Sequence, residues 1–238
     1  VETPSNPLNE VADIAALAEI AHSNGALLTV DNCFCSPALQ QPLKFGADLS
    51  VQSATKAIDG HGRVMGGVLA GSEELMTQVA VYCNSCGLAM SPFNAWQLLS
   101  GVETLSLRME KQYDNALKIA QWLKEQPQVQ AVYYTGLPDH PQAELIRKQQ
   151  NGGGIVIGFE VADQEAAWKI VDGVELFSRT ANLGDVRSTI THPWTTTHGR
   201  MQPEEKLAAN IRQGLVRLSV GLEYVDDLIE DLKQVLNK

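Results

Sequence analysis

A lysine sits among hydroxyl side chains in Ser53-Ala54-Thr55-Lys56, directly after the short apolar segment Asp48 to Gln52. The glycine-rich stretch Gly60-His61-Gly62-Arg63-Val64-Met65-Gly66-Gly67 follows. An amine at a strand end, next to pliable backbone, is suited to hold an aldehyde as a Schiff base. Upstream, the apolar run Ala26-Leu27-Leu28-Thr29-Val30 ends abruptly in Asp31. A carboxylate closing a buried strand needs a cation or a donor, because an unpaired buried charge is costly. It is either a turn or cap aspartate or the partner of a protonated ring nitrogen. An amine for an aldehyde and an acid for a pyridinium together describe a pyridoxal phosphate site.

Two further features point the same way. Ser53 and Thr55 alternate around Ala54, so an extended backbone aims both hydroxyls at one place, as a cofactor phosphate requires. Both are also ordinary loop residues. Arg217 lies in the otherwise apolar run Leu215-Val216-Arg217-Leu218-Ser219-Val220. Its planar fork matches the carboxylate of an amino acid bidentately, the alternative being a structural ion pair.

The elements that must position these residues follow from periodicity. Val11, Ile14, Leu17, Ile20 and Ala21 recur at helical spacing over Asn9 to Asn24, with Gly25 as the stop. Strands are predicted over Ala26–Val30, Leu49–Gln52 and Gly66–Ala70, with a short helix over Ala38–Lys44 between the first two. Helices alternating with continuous apolar strands imply an α/β fold with a mainly parallel sheet covered on both faces. Ligands then sit at the carboxyl ends of the strands, where Asp31 and Ser53 to Lys56 fall. A helix is predicted over Leu75–Tyr82, and a long one over Phe93–Leu123, bent near Leu105-Ser106-Leu107. Strands at Val129–Tyr134, Gly154–Val161 and Leu215–Val220 and helices at Gln142–Gln149, Gln164–Val171 and Tyr224–Leu236 form a smaller α+β unit. The expected division is residues 1–115, part of a large cofactor-binding domain, and 116–238, a small C-terminal domain, with the boundary inside 107–127.

The formal charge of −10 and pI near 4.9 speak against nucleic acid or an anionic membrane as partner. The stretch Thr77 to Val102 has no charged residue but carries too many polar groups, Asn84, Ser85, Asn94 and Gln97 among them, to cross a bilayer. It is predicted to be buried or interfacial. Cys33-x-Cys35 and Cys83-x-x-Cys86 are read as small buried thiols rather than a zinc site or redox pair, and no metal is expected. Val1-Glu2-Thr3-Pro4 is no secretory signal, and a cytoplasmic location is expected.

The combination resembles the Cys/Met-metabolism family of pyridoxal phosphate enzymes, the relatives of cystathionine γ-synthase. The matching segments are Glu2-Thr3-Pro4-Ser5-Asn6-Pro7, Val30-Asp31-Asn32, Ser53-Ala54-Thr55-Lys56, Ser91-Pro92-Phe93 and Arg217-Leu218-Ser219-Val220-Gly221-Leu222-Glu223. The resemblance implies an aspartate-aminotransferase-type (fold type I) architecture, assembled as a homotetramer, a dimer of dimers. It implies that Lys56 binds the cofactor aldehyde, Asp31 the ring nitrogen, and Ser53 and Thr55 the phosphate. Asn6 would lie beside the phenolic oxygen, and Arg217 would take the substrate α-carboxylate.

Within the family, Ala181-Asn182-Leu183-Gly184-Asp185, Asn32-Cys33-Phe34-Cys35 and Thr195-Thr196-Thr197-His198-Gly199-Arg200 resemble the O-succinylhomoserine sulfhydrylase branch. There Asn182 lines the carboxylate pocket with Arg217, and His192 and His198 are structural. The implied reaction joins O-succinylhomoserine and sulfide to homocysteine and succinate. The alternatives are a cystathionine γ-synthase, with cysteine as the thiol, or a catalytically incomplete portion. The family's N-terminal arm, glycine-containing phosphate loop and ring-stacking tyrosine have no counterpart here, so the chain is expected to be a C-terminal portion.

Overall fold

Asp13 starts the first helix, α1 (Ile14–Ser23), by accepting the Ala16 N–H at 3.1 Å, which satisfies a donor that has no partner inside the helix. In the computed structural model, which describes residues 1–237, Gly25 then takes a φ of +68° and turns the chain. The helix begins later than the periodicity over Asn9 to Asn24 suggests. Asn9 has a left-handed φ of 59°, and its side chain donates to the carbonyls of Tyr133 and Val156 at 2.9 and 3.1 Å.

Strand β1 (Thr29–Asp31) buries Val30 against Ile14 and Ala18. The single helix expected over Ala38–Lys44 is two pieces, α2 (Ser36–Leu39) and a 3-10 turn at Pro42–Phe45, because Pro42 has no N–H to continue a ladder. Strand β2 (Leu49–Ser53) pairs parallel with β1, and β3 (Gly67–Gly71) pairs antiparallel with β2. This three-stranded sheet, in order β1-β2-β3, is therefore mixed rather than mainly parallel. A single π-helical turn, Ala54–Ile58, and the loop 59–66 connect β2 to β3, and with no crossover helix the chain returns antiparallel.

Ser72 caps α3 (Glu73–Cys86), which is followed by α4 (Pro92–Glu103) and α5 (Leu105–Lys124). The break between α4 and α5 falls at Thr104, one residue before the anticipated bend. Of the two readings of Thr77 to Val102, buried or interfacial, burial within this chain does not hold. Helix α3 has no buried residue, and Tyr82, Leu88, Phe93, Trp96 and Leu99 are exposed, because α3 lies at the rim beside β3. Cys33 and Cys35 are buried as read, whereas Cys83 is half-buried and Cys86 exposed.

The second sheet is built from β4 (Ala131–Tyr133), α6 (Ala143–Gln149), β5 (Val156–Glu160), α7 (Gln164–Gly173), β6 (Ser178–Arg179), β7 (Thr189–Thr191), α8 (Pro203–Ala208), β8 (Leu215–Ser219) and α9 (Val225–Leu236). Its order is β4-β5-β8-β7-β6, antiparallel except for β6 beside β7. The short elements β6, β7 and α8 had no pattern long enough to predict. Val216, Leu218 and Val220 pack into one cluster with Ile119 and Leu123 of α5, Ile170 of α7 and Leu228, Leu232 and Val235 of α9. Burying a leucine there stabilises the fold by about 1.5–3 kcal/mol. The opposite face of β8 carries Leu215, Arg217 and Ser219 at period two.

Helix α5 serves both units. Leu105 and Met109 pack with the first sheet's cluster and Ala116 to Leu123 with the second's. The first of these clusters also takes in Ile155, Val156 and Leu183; the division into 1–115 and 116–238 stays a proposal, with residue 238 outside the described residues. Among those residues no helix is long and apolar enough to cross a membrane.

Candidate active site

Two parallel strands end side by side. Asp31 is in register with Val51, so Ser53 lies two residues beyond the end of β1. Cys33 bridges the gap, donating its N–H to Asp31 Oδ1 at 3.0 Å and accepting the Ser53 N–H on its sulfur at 2.9 Å. Glu2 bridges to Asp31 as a further strand would.

Lys56 projects from the π-helical turn, where its own ψ of −128° breaks the helical path, and its Nζ stands 5.9 Å from the centre of the Phe34 ring. The helical turn begins immediately after β2, so the backbone is extended at Ser53 but not through Ala54 and Thr55. The Thr55 hydroxyl instead accepts the Gly66 N–H at 3.1 Å and donates to the Gly66 carbonyl at 3.3 Å. The alternation argument therefore does not place Thr55 beside Ser53.

Buried groups hold the turn. Arg108 on α5 donates to the carbonyls of Ala57 (2.8 Å), Ile58 (3.2 Å) and Gly101 (2.7 Å) and to the Thr104 hydroxyl (3.0 Å). Asp59 accepts the Arg63 N–H and Nε–H at 2.8 and 2.9 Å. Gly184, at φ +85°, lies so close that an added Cβ would stand 2.7 Å from the Ala57 nitrogen and 3.0 Å from Lys56 Cβ. Sequence reasoning missed Arg108, because an arginine in a helix ordinarily faces water.

Arg217 is 2% exposed and is the largest fully buried side chain. Its Nη1 donates to Asn6 Oδ1 at 3.0 Å and its Nη2 to the Ala181 carbonyl at 2.7 Å. Burial pulls its pKa down to about 10, and the Glu2 carboxylate works against that. Burial in turn pushes Glu2 up, and the Asn6 N–H, Lys56 and Arg217 oppose it. Glu2 thus feels Asp31, Lys56 and Arg217 together; its one sequence signal is membership of the Glu2-to-Pro7 segment. Asn182 adjoins the carbonyl that holds Arg217, but its side chain is exposed and lines a cavity of about 280 Å³ with Gly62, Asp185 and Arg187. A cavity of about 690 Å³ opens on the far side of the N-terminal loop and reaches the site only through Glu2. Among the described residues no group of three or more His, Cys, Asp or Glu is arranged to hold a metal ion.

His192 is locked in a network. Its Nδ1 accepts from Trp168 Nε1 (3.1 Å) and lies 2.8 Å from the Thr195 hydroxyl, while Nε2 meets the Gln213 carbonyl at 2.7 Å. Trp168 only donates, so the network assigns the proton to Nε2. Burial lowers its pKa, the Gln213 carbonyl opposes this, and Lys206 adds to it; burial also lowers His140 and His198. A histidine whose folded pKa is depressed contributes stability above its unfolded value of ~6.5, lost as pH falls through the folded value. Denaturant unfolding at pH 7 and pH 5 should therefore show a lower free energy at the acidic end, with a smaller drop in His192→Gln.

The residues fit pyridoxal phosphate by their chemistry: an amine, a carboxylate and a hydroxyl at adjoining strand ends, beside a buried guanidinium. Comparison with known proteins agrees. The profile of the family described as Cys/Met metabolism PLP-dependent enzyme matches residues 1–237. The chain is 55% identical over 237 residues to the O-succinylhomoserine sulfhydrylase of Pseudomonas aeruginosa, covering 99% of the chain and 59% of that relative. It is 43% identical to the L-methionine gamma-lyase of Pseudomonas putida, covering 99% and 60%. The crystal structure of cystathionine gamma synthase from Xanthomonas oryzae pv. oryzae in complex with cystathionine superposes with a TM-score of 0.96 at 44% identity, covering 100% of this chain and 62% of that one. The chain thus spans about 60% of the length of the curated relatives it matches.

Proposed function

The chain belongs to the Cys/Met metabolism family of PLP-dependent enzymes, and from that premise we propose that the complete protein carries out γ-replacement on O-succinylhomoserine. Sulfide displaces succinate: the Cγ–O bond breaks, a Cγ–S bond forms, and homocysteine results, a step of methionine biosynthesis. The observation that carries the reading is the segment Ala181 to Gly184. It packs on Lys56 at one end and holds Arg217 at the other, and the resemblance to the sulfhydrylase branch runs through it. The 55% identity to a sulfhydrylase supports it.

Pyridoxal phosphate, when bound, supplies an electron sink that acidifies the protons of the amino acid joined to it. Asp31 would hold its ring nitrogen, Ser53 its phosphate, with the expected second phosphate ligand Thr55 engaged by Gly66 here, and Asn6 would stand beside its phenolic oxygen. Two of the five guanidinium donors of Arg217 are engaged by Asn6 and Ala181, which leaves others for a substrate α-carboxylate lined by Asn182. Lys56 would take the Cα proton on Nζ and move protons between Cα and Cβ. By the same resemblance we place the protein in the cytoplasm as a homotetramer.

Sulfide and cysteine offered together with O-succinylhomoserine separate the readings. Homocysteine should exceed cystathionine by about tenfold or more, a preference of about 1.4 kcal/mol. Cystathionine as the main product would mean a γ-synthase, and 2-oxobutyrate released from cystathionine a γ-lyase.

A further inference from the structure

Cys33 stands between the acid that closes β1 and the hydroxyl residue that closes β2. Its backbone N–H meets Asp31 Oδ1 at 3.0 Å, and its sulfur accepts the Ser53 N–H at 2.9 Å. Register pairing between the two strands stops at Asp31 and Val51, so the sulfur continues the link past the last ladder pair.

Other uses of a thiol do not fit this one. Cys33 is 5% exposed, and burial, with the facing Asp31 carboxylate, pushes its pKa up to about 11, so little thiolate exists at neutral pH. It is also a free thiol. The protonated sulfur accepts the Ser53 amide, while the amide of the same residue donates to the Asp31 carboxylate.

We propose that Cys33 is a positioning residue that fixes the Asp31 carboxylate relative to the Ser53 hydroxyl, and so sets the spacing of the groups that would meet the two ends of the cofactor. The inference rests on reading Lys56 as the residue that binds pyridoxal phosphate. Serine in place of Cys33 keeps an acceptor for the Ser53 N–H. Valine keeps approximate volume and loses it.

The test titrates pyridoxal phosphate into the complete protein and its Lys56→Ala, Cys33→Val and Cys33→Ser variants. Dissociation constant, pH midpoint of the visible absorption band, and thermal unfolding without cofactor are each recorded. Cys33→Val should weaken affinity about tenfold and shift the pH midpoint, with Cys33→Ser within about threefold of the unsubstituted protein. Absence of a Lys56-dependent band in the unsubstituted protein overturns the cofactor reading, and this inference with it. A normal band with affinity and pH midpoint unaltered in Cys33→Val overturns the inference alone. So does a Cys33→Ser variant that loses as much as Cys33→Val, or losses confined to thermal unfolding.

Discussion

Alanine at position 56 is expected to abolish the covalent link to pyridoxal phosphate in the complete protein and to lower turnover by about 10²–10⁴-fold through loss of the proton-transferring amine alone. The reasoning is geometric as well as chemical. The π-helical turn presents Lys56 beside Phe34, one turn past the strand end that Cys33 ties to Asp31. Borohydride reduction followed by peptide mass analysis should tag the peptide containing Lys56 in the unsubstituted protein and no peptide in Lys56→Ala. The cofactor should still associate weakly, because Asp31, Ser53 and Arg217 are untouched. A tag on a different lysine, or an unchanged visible spectrum in the variant, would sink the assignment.

The second large effect is expected far from any substrate. Arg108→Met should cost about 3–5 kcal/mol of folding stability, the scale seen when one partner of a buried charged network is removed. The carbonyls of Ala57 and Ile58 lose the Arg108 donor, and that of Gly101 keeps only the longer contacts from Thr104; each buried unsatisfied group costs about 1–3 kcal/mol. Against a typical total of ~5–15 kcal/mol this is a large share. Lysine should not rescue it, since a single ammonium does not reproduce the planar fork that reaches three carbonyls and a hydroxyl. Space is also committed: a Cβ on Gly60 would lie 2.1 Å from Arg108 Nη1. Denaturant unfolding would measure the loss, and a change below about 1 kcal/mol would show that the turn carrying Lys56 is held by something else.

Much of the fold was legible because burial writes a period into the chain. Val216, Leu218 and Val220 alternate with Arg217 and Ser219, and Leu228, Leu232 and Val235 recur at helical spacing. Short elements were not: β6 and β7 are two and three residues long, below the length at which a period exists. The direction of β3 was misjudged for a related reason, since strand patterns carry no sign of polarity and only the connection decides it.

The candidate chemistry followed from residue types at their positions. An amine among hydroxyls, a carboxylate ending an apolar run and an arginine inside a strand are local statements that nominate Lys56, Asp31 and Arg217, each beside a structural alternative, and the resemblance narrowed the choice. Their supports are not local. Arg108 meets Ala57 across 51 residues, Cys33 meets Ser53 across 20, and Asn6 meets Arg217 across 211. Thr55 likewise meets Gly66 across 11 residues rather than lying beside Ser53. Side-chain chemistry belongs to each residue wherever the chain goes, but a hydrogen bond needs two groups at about 3 Å, and only the packing of distant segments in the folded chain brings them there.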